Sequence, residues 1–128
     1  MNRVRIPNQR AIIDRRALTE TIVALVGEHG EGARPQVVAA LKAALAPGRA
    51  ELARRLAAKP SAGHECTGGH SFLIDQLVRT IHDYVVTSVY PVNNRSAAER
   101  LAIMAVGGYG RAEMAPHSDV DIAFVVAH

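Results

Sequence analysis

Two short segments near the end of the chain carry residue types that could do chemistry together. Residues 107–111 have the sequence Gly-Gly-Tyr-Gly-Arg, and residues 118–121 have the sequence Ser-Asp-Val-Asp. Because Asp119 and Asp121 are two residues apart, their carboxylates would leave the same face of a β-strand, about 7 Å apart along the backbone. Carboxylates at that spacing can converge on one hard cation, or bind one of two ions each.

The glycine-rich segment has the properties that phosphate binding requires. Gly107 and Gly108 lack a Cβ, so a triphosphate could approach their backbone N–H groups closely. Ser118 can donate its hydroxyl to a phosphate oxygen, and Arg111 can balance phosphate charge. A Rossmann pattern fails because Glu113 stands where glycine is required, and no Walker A sequence is present. The two segments together therefore predict a metal-dependent nucleotide site, and the alternative is a tight turn beside a solvated strand end.

Two strands are predicted to position these segments. Residues 101–106 form a continuous apolar run that ends at the glycine pair, and residues 120–126 alternate between two faces. We expect these two ranges to be neighbouring strands of one sheet. Pro91, a turn at 93–94 and a capping box formed by Ser96 and Glu99 precede the first of them.

The rest of the chain has helical periodicity. Apolar spacing predicts helices from about Asp14 to His29, over 37–46, over 51–59 and over 72–89, the last capped near Ser71. Gly and Pro predict a loop over 27–35, a break or kink at 47–48 and a turn-rich connector over 60–70. The fold class is therefore α+β, with N-terminal helices packed on the first two strands of a mixed sheet.

Composition excludes several classes of protein. The 128 residues are 48% hydrophobic, and no apolar run approaches the ~20 residues of a membrane span, so we expect no membrane partner. One cysteine, Cys66, fits a reducing cytoplasm. The net charge is +3, but five arginines lie in residues 1–16, predicted to be a basic flexible tail. Since a nucleic-acid binder would spread basic charge over its folded surface, this distribution disfavours nucleic acid as a partner.

Residues 107–122 closely resemble the nucleotidyltransferase motif of the bacterial PII uridylyltransferase/uridylyl-removing enzymes, a family of the polymerase-beta-like nucleotidyltransferases. Residues 48–52 and 63–84 are also similar to that family, so the resemblance covers roughly residues 35–126. It implies transfer of UMP from UTP to a tyrosine of the PII signalling protein, with release of diphosphate and with Mg²⁺ or Mn²⁺. It further implies that Asp119 and Asp121 bind the metal. The triphosphate would be bound by Gly107, Gly108 and Ser118, and the resemblance supports Arg111 as a phosphate partner less strongly.

The resemblance also indicates what the chain lacks. Met114 replaces a more usual Leu, and the third carboxylate of the superfamily would lie beyond His128. The uridylyl-removing and glutamine-sensing domains would lie further along. We therefore expect an N-terminal portion of a longer enzyme, with a helical region over 17–92 and the start of the nucleotidyltransferase core over 93–128. We expect this portion alone to be inactive.

Two other functions stay open at this point. One is a related protein adenylyltransferase of the type that acts on glutamine synthetase, since no base-contacting residue distinguishes UTP from ATP. The other is a non-catalytic helical interaction module in which the glycines and aspartates only turn the chain.

Two weaker groups of residues favour structural roles. His64, Cys66 and His70 match no standard zinc spacing, so a polar connector is expected. His82-Asp83 spells the dipeptide of the HD metal hydrolases, but a solvated helix face explains it more simply.

Overall fold

The computed structural model describes residues 4–90 and 101–126. The predicted turn at 93–94 and the capping box that begins at Ser96 lie outside these residues. The described elements are, in chain order, helix α1 (Gln9–Ile12), helix α2 (Arg15–His29), a 3₁₀ turn (Gly30–Ala33), helix α3 (Arg34–Ala58), helix α4 (Gly63–Tyr84) continued by a π turn (Val85–Val89), strand β1 (Leu101–Ala105), helix α5 (Gly107–Gly110) and strand β2 (Ile122–Val126).

The main core lies between the first four helices. Its largest fully buried side chains are Val37 and Leu52 on α3 and Leu73 on α4, which are at most 2% exposed. The predicted helix over 37–46 is confirmed within α3, and the predicted helix over 72–89 is an α-helix as far as Tyr84. Residues 85–89 continue the helix in π geometry.

The leading segment contributes to this core, which the prediction of a flexible tail over residues 1–16 did not anticipate. Ile12 and Ile13 are 3% and 7% exposed, and the side chain of Asp14 accepts a hydrogen bond from the N–H of Ala17 to cap α2. The guanidinium of Arg55 donates to the carbonyl oxygens of residues 7 and 8, at 2.6 and 2.9 Å. Burial of the apolar area of Ile12 and Ile13 favours an ordered segment despite the neighbouring arginines.

Two predicted interruptions are absent. Residues 27–35 are not a loop, because α2 continues to His29 and a 3₁₀ turn leads directly into α3, whose first turn contains Pro35. Proline is tolerated there because the first N–H groups of a helix have no intrahelical partner. Pro47 does not end α3, and the predicted helix over 51–59 is its continuation. A Cβ at Gly48 would lie 2.7 Å from Cδ1 of Leu73, so the glycine permits close helix packing.

The predicted connector over 60–70 is largely the first part of α4, which begins at Gly63 rather than near Ser71. Its glycines disfavour a helix in isolation. However, a Cβ at Gly69 would overlap the side chain of Leu52, and one at Gly68 would lie 3.1 Å from Cδ1 of Ile6. Tertiary packing of a small-residue surface therefore outweighs the local propensity. Ser71 is an interior helical residue whose hydroxyl donates to the carbonyl of Thr67.

The two strands form an antiparallel pair in which Ile103 faces Phe124 and Ala105 faces Ile122. This confirms that the predicted strands are neighbours, although β1 ends at Ala105 and β2 begins at Ile122. The architecture is consistent with α+β. The helices do not cover the sheet as predicted, since Phe124 remains 61% exposed and Ala105 and Ile103 face α4 across an open cleft. Assignment to the nucleotidyltransferase fold stays a prediction.

None of the helices in residues 4–90 and 101–126 combines the length and apolar character that a membrane crossing demands.

Candidate functional site

The antiparallel pairing brings the glycine pair against the second aspartate. The N–H of Val106 donates to the carbonyl of Asp121 at 3.1 Å, which extends the pairing one step beyond β1. Gly107 follows with φ of +63°, and a Cβ there would lie 3.1 Å from Oδ2 of Asp121. The structure therefore places Gly107 and the Asp121 carboxylate side by side, although they are 14 positions apart in the sequence.

Both aspartates lie in the extended segment that leads into β2 rather than within it. Asp119 and Asp121 are exposed to solvent, and β2 begins at Ile122. Their carboxylates are thus available to a ligand from solution. Oxygen ligands of this kind suit hard cations such as Mg²⁺ and Mn²⁺. Their assignment as metal ligands stays a prediction.

Helix α5 is a single turn whose glycines have different structural roles. Gly107 has a left-handed backbone that other residues adopt only at a cost. Gly108 has a Cβ position in ordinary contact with the carbonyl of Glu113, at 3.5 Å. Gly110 lies so close to β1 that a Cβ would be 2.6 Å from the carbonyl oxygen of Ala105. The close packing of Gly110 against β1 was not predicted from the sequence. The sequence feature that indicates it is the third glycine in the Gly-Gly-Tyr-Gly segment.

The loop from α5 to β2 carries Arg111 and Ser118. Two non-glycine residues in it, Ala112 and His117, have left-handed φ values of +56° and +63°. Such conformations cost about 1–2 kcal/mol each, so the surrounding contacts must hold them. The N–H of Ser118 donates to the carbonyl of Ala115 at 3.1 Å, closing a turn directly before Asp119.

Arg111 is a cationic side chain beside Gly108. Its Nη2 would lie 3.9 Å from a Cβ at Gly108, and its Nε is 3.7 Å from Oε2 of Glu113. The side chains of this ion pair are 63% and 56% exposed, so the pair contributes little to stability. Arg111 is therefore free to exchange Glu113 for an anionic ligand.

Helix α4 contacts α5 and the loop through two hydrogen bonds, neither of which the sequence predicted. Tyr109 is 7% exposed, and its hydroxyl donates to Oδ1 of Asp75 across a long hydrogen bond of 3.4 Å. Met114 is 4% exposed, and its N–H donates to Oγ of Ser71 at 3.2 Å. The sequence feature that could have indicated this contact is Tyr109, a large aromatic residue between two glycines, which is typical of a side chain that packs against a neighbouring element.

The electrostatics favour a protonated Tyr109. Burial, followed by the charge of Asp75 and the hydrogen bond to it, raises the pKa of Tyr109 to about 12. The tyrosine therefore remains a hydrogen-bond donor at neutral pH. Asp75 is also paired with Arg79, whose Nε lies 3.0 Å from its Oδ2.

A cleft of about 360 Å³ separates α4 from β1 beside this contact. Asp75 and Tyr109 line the cleft, together with Ile103 and Ala105 of β1. His82 and Asp83 line it from α4, with their Nδ1 and Oδ1 atoms 3.6 Å apart.

The other metal-ligand types do not assemble. Cys66 and His70 are buried in α4, where burial raises the pKa of the Cys66 thiol. Burial, then the charges of Arg49 and His117, lower the pKa of His70. Within residues 4–90 and 101–126, no group of three His, Cys, Asp or Glu residues is placed to bind a metal ion.

Comparison with known proteins identifies relatives over nearly the whole chain. A protein of Novosphingobium aromaticivorans is 66% identical over 121 residues, and one of Erythrobacter litoralis is 60% identical over the same length. Both matches cover 94% of this chain and 13% of the relative. A protein of Azospirillum brasilense is 45% identical over 125 residues, which are 96% of this chain and 13% of that relative. All three are named bifunctional uridylyltransferase/uridylyl-removing enzyme.

No family model matches the chain. No solved structure matches it either. The sequence identities of 66% and 60% over 94% of the chain nevertheless show homology to these relatives. The chain spans about 13% of the length of the curated relatives it matches. The chain therefore belongs to the family of the bifunctional uridylyltransferase/uridylyl-removing enzymes.

Proposed function

We propose that this chain is the N-terminal portion of a nucleotidyltransferase and supplies part of the site that transfers UMP from UTP to a tyrosine of a PII signalling protein. The observation that carries the proposal is the contact between Gly107 and the carboxylate of Asp121. It joins a phosphate-type glycine turn to an exposed carboxylate, which is the arrangement that metal–triphosphate chemistry needs. The names of the relatives favour uridylyl transfer over adenylyl transfer and over a non-catalytic module.

The residues present fit a divalent cation. The missing Cβ at Gly107 leaves space that the Asp121 carboxylate borders, and Asp119 adds a second exposed carboxylate two residues away. Asp119 and Asp121 would hold Mg²⁺ or Mn²⁺ through oxygen ligands. When bound, such an ion neutralises negative charge on the phosphates.

The other residues would orient the nucleotide. The backbone of Gly107 and Gly108 allows close approach of the triphosphate, and Ser118 donates its hydroxyl beside Asp119. Arg111 leaves its weak pairing with Glu113 and balances the charge of the phosphates. In the transfer, the acceptor tyrosine gives up its hydroxyl proton to solvent and its oxygen bonds to the α-phosphorus. The bond between the α-phosphorus and the oxygen that bridges to the β-phosphorus breaks, and diphosphate leaves with that oxygen.

The test is an isotope-transfer assay with the full-length protein that carries this segment. The protein is incubated with PII and with UTP labelled either at the α-phosphorus or at the γ-phosphorus. The proposal expects label on PII from α-labelled UTP alone. Label from γ-labelled UTP would indicate phosphoryl transfer, and no label would contradict the proposal. Excess unlabelled ATP should not reduce the incorporation, whereas strong competition would favour the adenylyltransferase alternative.

A further inference from the structure

Helix α4 contacts the glycine turn and its loop at regular positions. The contact residues on α4 are separated by three and four positions, so they form a stripe along one face of the helix. This docking stripe consists of Gly68, Ser71 and Asp75. A Cβ at Gly68 would lie 3.9 Å from the carbonyl oxygen of Ala112 in the loop. Ser71 accepts a hydrogen bond from the N–H of Met114 in the loop, and Asp75 accepts one from the hydroxyl of Tyr109 in α5.

The turn needs an external support to have a fixed orientation. Helix α5 has four residues, and helices this short are not stable alone. Its own hydrogen bonds, from the N–H of Gly110 to Val106 and of Arg111 to Gly107, fix its shape but not its tilt. The buried ring of Tyr109 and its bond to Asp75 supply a contact with α4 one residue after the glycine pair.

We propose that Asp75, acting through Tyr109, is a positioning residue for the nucleotide site. The inference rests on the proposed function and adds α4 to the elements that determine the rate. In this arrangement the strand pairing brings Gly107 beside Asp121, and the Tyr109–Asp75 bond holds the tilt of the turn that carries Gly107 and Gly108. The bond touches neither the nucleotide nor the metal, so its loss should act on the transfer step more than on folding.

Three substitutions separate this role from simple packing. Tyr109→Phe keeps the buried ring and removes only the hydroxyl. Asp75→Ala removes the acceptor, whereas Asp75→Asn retains a carbonyl oxygen that can accept from Tyr109. Asp83→Asn is the matched control, because Asp83 lies on the same helix and lines the same cleft but pairs with His82.

The experiment measures kcat and KM for UTP, the thermal midpoint and hydrogen exchange of residues 106–114 in the full-length protein. Because small misplacements of a catalytic group are costly, Tyr109→Phe and Asp75→Ala should each lower kcat by about tenfold or more. Neither should change KM by more than about threefold, since ground-state contacts with UTP remain. Both should speed exchange of residues 106–114, with the thermal midpoint nearly unchanged.

The double variant and the conservative variant complete the test. Tyr109→Phe combined with Asp75→Ala should be no slower than the slower single variant, because both remove the same bond. Asp75→Asn should recover most of kcat, and Asp83→Asn should behave as wild type. Additive losses, unchanged exchange or an unchanged kcat in Tyr109→Phe would each overturn the inference. Asp121→Asn is measured alongside these variants. If Asp121→Asn retains UMP transfer, the proposed function is wrong. If Asp121→Asn loses UMP transfer while Tyr109→Phe keeps the wild-type rate, only the positioning role is wrong.

Discussion

Replacing Gly107 with alanine tests the geometry of the glycine turn. The backbone of Gly107 is left-handed, with φ of +63°, which costs a residue with a Cβ about 1–2 kcal/mol. The new methyl group would also lie 3.1 Å from Oδ2 of Asp121, so the carboxylate must move by a few tenths of an ångström. Because Asp121 is exposed, this movement adds little, and the expected loss of stability is about 1–2 kcal/mol.

Gly108→Ala is the matched control for stability. Its Cβ would lie 3.5 Å from the carbonyl of Glu113, an ordinary contact, and its backbone is not left-handed. Alanine at this helical position should therefore be neutral or stabilising by up to about 1 kcal/mol. The two variants are the same chemical change at adjacent residues, so they isolate the effect of backbone conformation.

The assay is urea unfolding of the 128-residue chain, followed by helical circular dichroism and by tyrosine fluorescence. The chain contains three tyrosines and no tryptophan, so the fluorescence includes buried Tyr109 without a dominating background. Gly107→Ala should lower the urea midpoint at unchanged slope, and Gly108→Ala should not. Equal midpoints for the two variants, or a stable Gly107→Ala, would refute the reasoning from φ and from the contact with Asp121.

Two further predictions concern the chain itself. The isolated 128-residue chain should not transfer UMP from UTP to PII. The reason is that the described residues place no third metal ligand beside Asp119 and Asp121 to help activate the acceptor tyrosine. Metal-dependent incorporation of UMP above background would contradict this prediction. Since the pKa of Tyr109 rises from 10.0 to about 12 on folding, its protonated form stabilises the fold fully below pH 10, and this contribution is lost as the pH rises toward 12. Urea unfolding between pH 9 and 11.5 should show a steeper loss of stability in wild type than in Tyr109→Phe, and equal slopes would exclude the shift.

The strands were predictable from sequence because their signal is local. Alternation over 120–126 and the apolar run that ends at Gly107 located both strands to within two residues. The same local logic placed Asp121 near the glycine pair, since both lie where paired strands begin or end. Sequence pattern and backbone pairing here depend on the same period of two.

The helical packing was less predictable because its causes are distant in sequence. Gly69 of α4 lies against Leu52 of α3, where a Cβ would overlap the leucine side chain, and the two residues are far apart in the sequence. Asp75 and Tyr109 are 34 residues apart, and nothing in the sequence around either residue indicates their hydrogen bond. Helix propensities favour a loop at Gly68 and Gly69, whereas in the folded chain these two glycines allow close packing of α4 against its neighbours.

The central claim is that the exposed carboxylate beside Gly107 takes part in UMP transfer. The most direct test is the rate of UMP incorporation into PII by full-length protein carrying Asp121→Asn, with Glu113→Gln as the control for loss of a nearby exposed carboxylate. The account predicts that Asp121→Asn lowers the rate by about 100-fold or more, since charge neutralisation at the phosphates is lost. Its thermal midpoint should be unchanged or slightly raised, because repulsion with Asp119 is relieved. Glu113→Gln should remain active, and a wild-type rate in Asp121→Asn would contradict the account.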